Sequence, residues 1–250
     1  MMTRRVVTAE MLDHLSPSDP AAIRSRRDLV RVHRAMRTRS IVSQGWQSVV
    51  SPDCASTPLR ILEIGAGDGT LLLGVAQSLA PQWPRVHLTL LDRVDIVEPS
   101  TLAAYAELGW ITHVLVADVL EWAARPEEDS YSPDSGSACP HWDLVSTALF
   151  LHHFAGDQLE LLLAAIASRS DRFFACEPMR SWLPLAGSHM VGAIGANAVT
   201  REDAVLSVRA GFRAHEITAR WPLSGNAWHT HEFAAGLFSH CFSARRNAAE

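Results

Sequence analysis

Lysine is absent from this chain, and all 22 basic residues are arginine. That absence removes a P-loop lysine, the Tyr-x-x-x-Lys pair of short-chain dehydrogenases and any Schiff-base mechanism. Cysteine is scarce: Cys54, Cys139, Cys176 and Cys241 lie far apart with no C-x-x-C spacing, which suits reduced thiols and argues against a disulfide frame or a zinc knuckle. No apolar run is long enough to cross a bilayer, and Met1-Met-Thr-Arg-Arg-Val has no hydrophobic stretch behind it, so neither a membrane span nor a signal peptide is expected. The formal net charge is −5, which provides no global basic field for nucleic acid. These absences predict a soluble cytoplasmic protein, monomer or homodimer, with no membrane or nucleic-acid partner.

What is present is a large apolar fraction, 48% of 250 residues, enough for one α/β domain with appended segments. Residues 1–50 read as a helical segment outside the core. Thr8–Leu15 is a short helical stretch, and Ser18-Asp-Pro20 offers an N-cap with proline in the first turn. On the following helix Ala22, Ser25, Leu29, Val32 and Met36 share one face and Arg24, Arg27, Arg31 and Arg34 the other. The arginines are either a solvated face or part of a lid whose Arg27 reaches a bound carboxylate.

From residue 51 onward strands and helices alternate. The predicted elements are Leu59–Ile64, a helix from Gly69 to Leu79, Val86–Asp92, a helix near Ser100–Leu108, Ile111–Ala117, Trp142–Phe150, a helix near Asp157–Ser168 and Arg172–Cys176. Residues 126–140 form a polar insertion. Residues 177–200, rich in Gly, Trp, His and Met, predict an irregular cap over a substrate pocket. A helix at Arg201–Ala210 and two strands, Ala214–Ala219 and Glu232–Ala244, then close the sheet as a hairpin.

The stretch Arg60-Ile-Leu-Glu-Ile-Gly-Ala-Gly-Asp-Gly-Thr70 carries the chemistry. A buried strand ends at the acid Glu63 and turns tightly through Gly65, Ala66 and Gly67 into a helix, so backbone can press against a nucleotide-like ligand. The order is G-x-G-x-G, with Thr70 where a dinucleotide fingerprint has its third glycine. Glu63 and Asp68 suit a cationic ligand better than a pyrophosphate. Two further strands end in acids, Asp92 and Asp118, and Asp92 stands where a ribose diol is held by two hydrogen bonds.

This pattern resembles motif I and the strand-end acids of the class I S-adenosylmethionine (SAM) methyltransferases. The resemblance implies a Rossmann-like sheet of seven strands with helices on both faces, an N-terminal helical lid over residues 1–50, a methyltransferase domain over 51–250 and a capping insertion after strand 5. It implies SAM as cofactor, with Asp118 toward the adenine amino group and Ala66, Arg93, Val119 and Leu149 beside the other cofactor-binding positions.

Leu149-Phe-Leu-His-His-Phe154 opens from the end of the fourth strand, where doubly wound sheets meet their ligands. It is similar to the Leu-His-Asp-Trp segment of plant-type small-molecule O-methyltransferases, whose histidine is the general base. His152 aligns with that base, and His153 stands where the family has aspartate. A histidine at this place also serves other methyltransferases by bonding a backbone carbonyl, so base and structural roles are both open. Trp182, His189, Asn197 and His229 are further candidates for acceptor contacts. His229-x-His231 has strand spacing but no acid or thiol cluster beside it, so no metal is expected.

The segments Ala22–Leu29, Asn197–Phe212 and Gly236–Arg245 resemble bacterial methyltransferases encoded beside type III polyketide synthases, which implies a phenol, resorcinol or pyrone as small-molecule acceptor. Acids for metal-dependent catechol methylation and the Asn/Asp-Pro-Pro-aromatic motif of amino methylation are both absent. Oxygen or an activated carbon is then the methyl acceptor, and a non-catalytic SAM-binding partner protein is the reading from another class.

Overall fold

A computed structural model describes residues 4–50, 58–83, 85–125, 141–222 and 227–247. Cys54, Cys139 and the polar insertion at 126–140 lie outside them. Seven strands form one sheet in the order β3-β2-β1-β4-β5-β7-β6. They are β1 (Leu59–Ile64), β2 (Val86–Asp92), β3 (Ile111–Val116), β4 (Leu144–Ala148), β5 (Arg172–Pro178), β6 (Trp228–Ala235) and β7 (Ser239–Arg246). The first five are parallel, and β7 runs antiparallel between β5 and β6.

Alternate residues of each central strand feed two separate cores. Leu62, Ile64, Val145 and Phe173 face one, while Ile61, Leu88, Leu144 and Phe174 face the other. Burial on both faces is why these strands read as unbroken apolar runs. On the second face α2 (Thr38–Val49) and α3 (Thr70–Leu79) pack through Val42, Trp46, Leu72 and Val75, and Tyr105 of α4 (Pro99–Glu107) joins them. On the first, α5 (Val119–Ala124) and α6 (Gly156–Ser168) supply Val119, Trp122, Leu159 and Leu163. No helix among the described residues is long and apolar enough to cross a membrane.

Helix α1 (Pro20–Met36) begins at Asp19, whose carboxylate accepts the Ala21 N–H at 2.7 Å. Ala22 and Ser25 are buried on its inner face, while Arg24, Arg27, Arg31 and Arg34 are exposed, so the arginine stripe is the solvated side. Thr8–Leu15, expected as helix, is chain with a single 3-10 turn at Leu12–His14.

The cap after β5 is helical rather than irregular. It comprises α7 (Trp182–Met190), a 3-10 turn at Val191–Ile194 and α8 (Ala198–Ala210). Pro184 is tolerated in the first turn of α7 because that N–H has no intrahelical partner. Asn197 caps α8 by accepting the Thr200 N–H.

The closing hairpin also differs from expectation. Ala214–Ala219 forms turns and the start of a 3-10 turn at Thr218–Arg220, held because the Glu232 carboxylate accepts the N–H groups of Ile217 and Thr218. The run expected as one strand, Glu232–Ala244, instead folds back at Gly236, whose φ of 64° opens the turn between β6 and β7. Glu232 also pairs with buried His240 at 2.8 Å.

Candidate active site

Strand order reverses between β1 and β4, so their carboxyl ends open a crevice between diverging connections. A cavity of about 890 Å³ lies there, lined by the β-strand ends on one side and by α1, α7, α8 and residues 8–17 on the other. All nine cofactor candidates and both His152 and His153 are on its wall.

The turn after β1 needs its glycines. Gly65, at φ 75°, donates its N–H to the Leu91 carbonyl at 2.8 Å, and a Cβ there would sit 2.2 Å from the Phe150 ring. Gly67, at φ 57°, faces open space and donates to Asp92 Oδ2 at 2.8 Å. The other Asp92 oxygen accepts the Val94 N–H at 3.0 Å, which fixes the carboxylate at the rim. Asp118 caps α5 by accepting the Leu120 N–H at 2.7 Å. Its structural duty and its place on the cavity wall coexist, since a carboxylate has further lone pairs.

Glu63 is fully buried beneath this turn, and Trp46 donates to its neighbour Ser146 at 2.9 Å. Burial pushes the Glu63 carboxyl up to about 8; a Ser146 hydrogen bond opposes this and the charge of Glu177 adds to it. Its Oε2 has no hydrogen-bond partner. A buried polar atom on a cavity wall without a partner fits a ligand that brings a positive group.

At the end of β4, Leu149 takes φ 57° and the chain enters a 3-10 turn, Leu151–His153. Glu177, at the end of β5, accepts the N–H groups of Phe150, Leu151 and His152 at 3.1, 2.9 and 3.2 Å. The same carboxylate meets His152 Nδ1 at 2.9 Å. His152 is 3% exposed, and its Nε2 lies 3.4 Å from Glu10 Oε1. Burial opposes charge on this imidazole, but Glu10 and Glu177 outweigh it and push the group up to about 9. His153 Nδ1 lies 3.3 Å from Asp13 Oδ2.

Glu10 and Asp13 arrive on the N-terminal segment, which is tied down at several points. Arg5 donates to the carbonyls of Ala210, Phe154 and His152 at 2.6, 2.8 and 3.0 Å. Asp203 accepts the N–H groups of Met11 and Leu12, Ser207 bonds Glu10, and Arg93 holds Asp13 at 3.0 Å. Arg93, expected beside the cofactor, spends its guanidinium on this segment while lining the wall.

The expected acceptor contacts are not brought to the cavity. Arg27 is on the solvent face of α1, and Trp182 is 74% exposed. His189 is exposed, whereas its neighbours Ser188 and Met190 line the wall. Asn197 is consumed in capping α8 and joining it to Ala21 and Asp28. His229 pairs with Arg245 at the end of the sheet opposite the crevice. Glu10, Asp13 and Glu177 were not among the expected residues. Glu177 carried a signal as an acid directly after an apolar strand, and Glu10 carried none.

Neither a protein-family model nor a curated protein matches the sequence. Solved structures do. The plantazolicin methyltransferase BpumL, in complex with SAH, matches with TM-score 0.61 and 13% identity over 92% of each chain. The chain has the class I methyltransferase fold. BamL, another plantazolicin methyltransferase, matches with TM-score 0.58 and 12% identity over 94% of this chain and 93% of its own. An O-methyltransferase family protein from Burkholderia thailandensis matches with TM-score 0.54 and 12% identity, over 96% of this chain and 62% of that one. In a class I methyltransferase fold the β1–α3 turn, Asp92 and Asp118 all belong to the crevice that the sheet reversal creates, which is where they stand here.

Proposed function

We propose that this chain transfers a methyl group from SAM to a hydroxyl oxygen of a small aromatic or enolic acceptor. The observation that carries the reading is the buried His152–Glu177 pair, whose imidazole lies on the wall of the same cavity as the glycine turn of β1. A volume of about 890 Å³ lies in the upper part of the range for small-molecule sites. Gly65 and Gly67 would give the cofactor close backbone approach, Asp92 its ribose contact, and Glu63 a counter-charge. When bound, SAM supplies an electrophilic methyl group on a sulfonium.

The residues of the chain handle the proton. A phenol with a pKa of about 10 is a poor nucleophile at neutral pH until its proton is removed. With Glu10 in front of Nε2, His152 is held as the cation. An acceptor hydroxyl in Glu10's place removes that carboxylate and leaves an imidazole able to take the O–H proton at Nε2. Glu177, hydrogen-bonded at Nδ1, orients the ring and stabilises the imidazolium that results. The backbone N–H groups of Phe150, Leu151 and His152 hold the Glu177 carboxylate in place behind the ring. Phenols and resorcinols of the polyketide type offer hydroxyls of about this acidity, and enolic pyrones offer more acidic ones.

The test is incubation of the full chain with SAM and a panel of such acceptors, following SAH and the methylated product by mass. His152→Ala is expected to lower kcat by about 10²- to 10⁴-fold with cofactor binding retained. Full rate in that variant removes the base assignment, and product NMR showing a C–CH₃ group replaces oxygen by ring carbon.

A further inference from the structure

We propose that Glu10, His152 and His153 form a binding site for a divalent transition ion, Zn²⁺ above all, on the cavity wall. One donor atom from each residue lies within 4.8 Å of the others. Spacing matters more than proximity. Donors about 2.0–2.1 Å from a tetrahedral Zn²⁺ stand about 3.4 Å apart, and His152 Nε2 and Glu10 Oε1 are 3.4 Å apart.

His152 Nε2 is moreover buried and has no hydrogen-bond partner, although a carboxylate faces it. The other ring nitrogen is committed to Glu177 at 2.9 Å. That bond keeps a proton on Nδ1, so an ion that displaces the Nε2 proton meets a ring lone pair aimed toward Glu10. A carboxylate behind a ligating histidine is the arrangement that fixes tautomer and ring orientation in metal sites. Asp13, 3.3 Å from His153 Nδ1, stands in a comparable place behind the second imidazole. The rings of the two histidines are adjacent, with centroids 4.3 Å apart.

The donor chemistry selects the ion. Two imidazoles and one carboxylate suit Zn²⁺, Co²⁺ or Ni²⁺, whereas Mg²⁺ and Ca²⁺ take oxygen ligands. Three protein ligands leave a fourth position, and all three residues line the cavity, so that position is open to small molecules. The ion would join the N-terminal segment to the 3-10 turn after β4. On the reading of His152 as base, it would also occupy the nitrogen that takes the proton, so Zn²⁺ inhibits methyl transfer.

The experiment uses the full chain stripped with a chelator and titrated with Co²⁺, then Zn²⁺. Expected are the visible d–d bands of four-coordinate Co²⁺ at one ion per chain, bleached by Zn²⁺, and slower hydrogen exchange in residues 6–15 with Zn²⁺ bound. Glu10→Gln and His153→Ala are each expected to weaken Zn²⁺ at least 10-fold, with thermal melts confirming that both fold. Absence of the bands and of binding heat in the wild type, or wild-type affinity in both variants, overturns the site. Transfer that continues unchanged with Zn²⁺ bound overturns the inhibition. A chain that binds Co²⁺ as described yet methylates nothing even after the metal is stripped supports the site and counts against the proposed function instead.

Discussion

A single methyl group distinguishes what the glycines of the β1 turn do. At Gly65 an added Cβ would meet the Phe150 ring at 2.2 Å and sit at φ 75°. At Gly67 it would meet nothing within 4 Å, at φ 57°. Gly65→Ala is therefore expected to cost about 1–3 kcal/mol of stability in denaturant unfolding. Gly67→Ala is expected to cost only about 1 kcal/mol, yet to weaken SAM at least 10-fold in calorimetry, because its Cβ points where backbone must approach the ligand. Wild-type SAM affinity in Gly67→Ala means that this turn is not the cofactor cradle. Residues of this kind were legible because their chemistry is local: a glycine turn after a strand, or Asp92 and His152 at a strand end. The other half of the His152 site was not. Glu177 had the signal of an acid after an apolar strand, but with β5 expected to end at Cys176 it fell into the cap, whereas the strand continues through Glu177 to Pro178. Glu10 lies 142 residues before His152, and no periodicity or spacing connects positions so far apart.

Elements were legible where burial on both sheet faces or a strong helical stripe marked them, as in β1, β2, α3 and α6. Helix α2 was not, because Thr38–Val49 is rich in Ser, Thr, Val and Gly, which are modest helix formers. Its stability comes from tertiary packing instead: Val42, Trp46 and Val49 are buried, and Gly45 sits so close to Phe174 that a Cβ would fall 2.1 Å from the ring. The β6–β7 hairpin was misplaced for a related reason, since Glu232 and His240 are polar residues paired in the interior and the strand alternation does not show the fold-back. The N-terminal segment depends on tertiary contacts even more. Arg5 satisfies the carbonyls of Ala210, Phe154 and His152 and lies over the Phe212 ring at 4.2 Å. Burial pulls this guanidinium down to about 10, yet it stays charged at neutral pH. Arg5→Ala is expected to destabilise the chain by about 1–3 kcal/mol, by leaving acceptors without their donor. It is also expected to accelerate hydrogen exchange in residues 6–15 far more than in the sheet. Uniform acceleration across all strands would show that the segment is not a separately opening unit.

For the molecule as a whole, the consequential charge is the one that burial suppresses at Glu63. The ordinary glutamate value is 4.5, and burial pushes Glu63 up to about 8. Between those values the folded chain holds a proton that the unfolded chain has lost. Its contribution to stability is thus complete below about 4.5 and declines as pH rises to about 8, where it levels off. Cofactor binding is expected to run the other way. A sulfonium or ammonium group beside Glu63 favours the carboxylate, so binding below pH 8 expels the proton and SAM affinity rises with pH over this window. Calorimetry in two buffers of different ionisation enthalpy would measure the release, expected to approach one proton per SAM near pH 6. Glu63→Gln, which keeps the shape and cannot ionise, is expected to abolish both the release and the pH dependence. If the wild type releases no proton and affinity is flat across the window, Glu63 is already ionised before the cofactor binds. The counter-charge would then be built into the fold before the cofactor arrives.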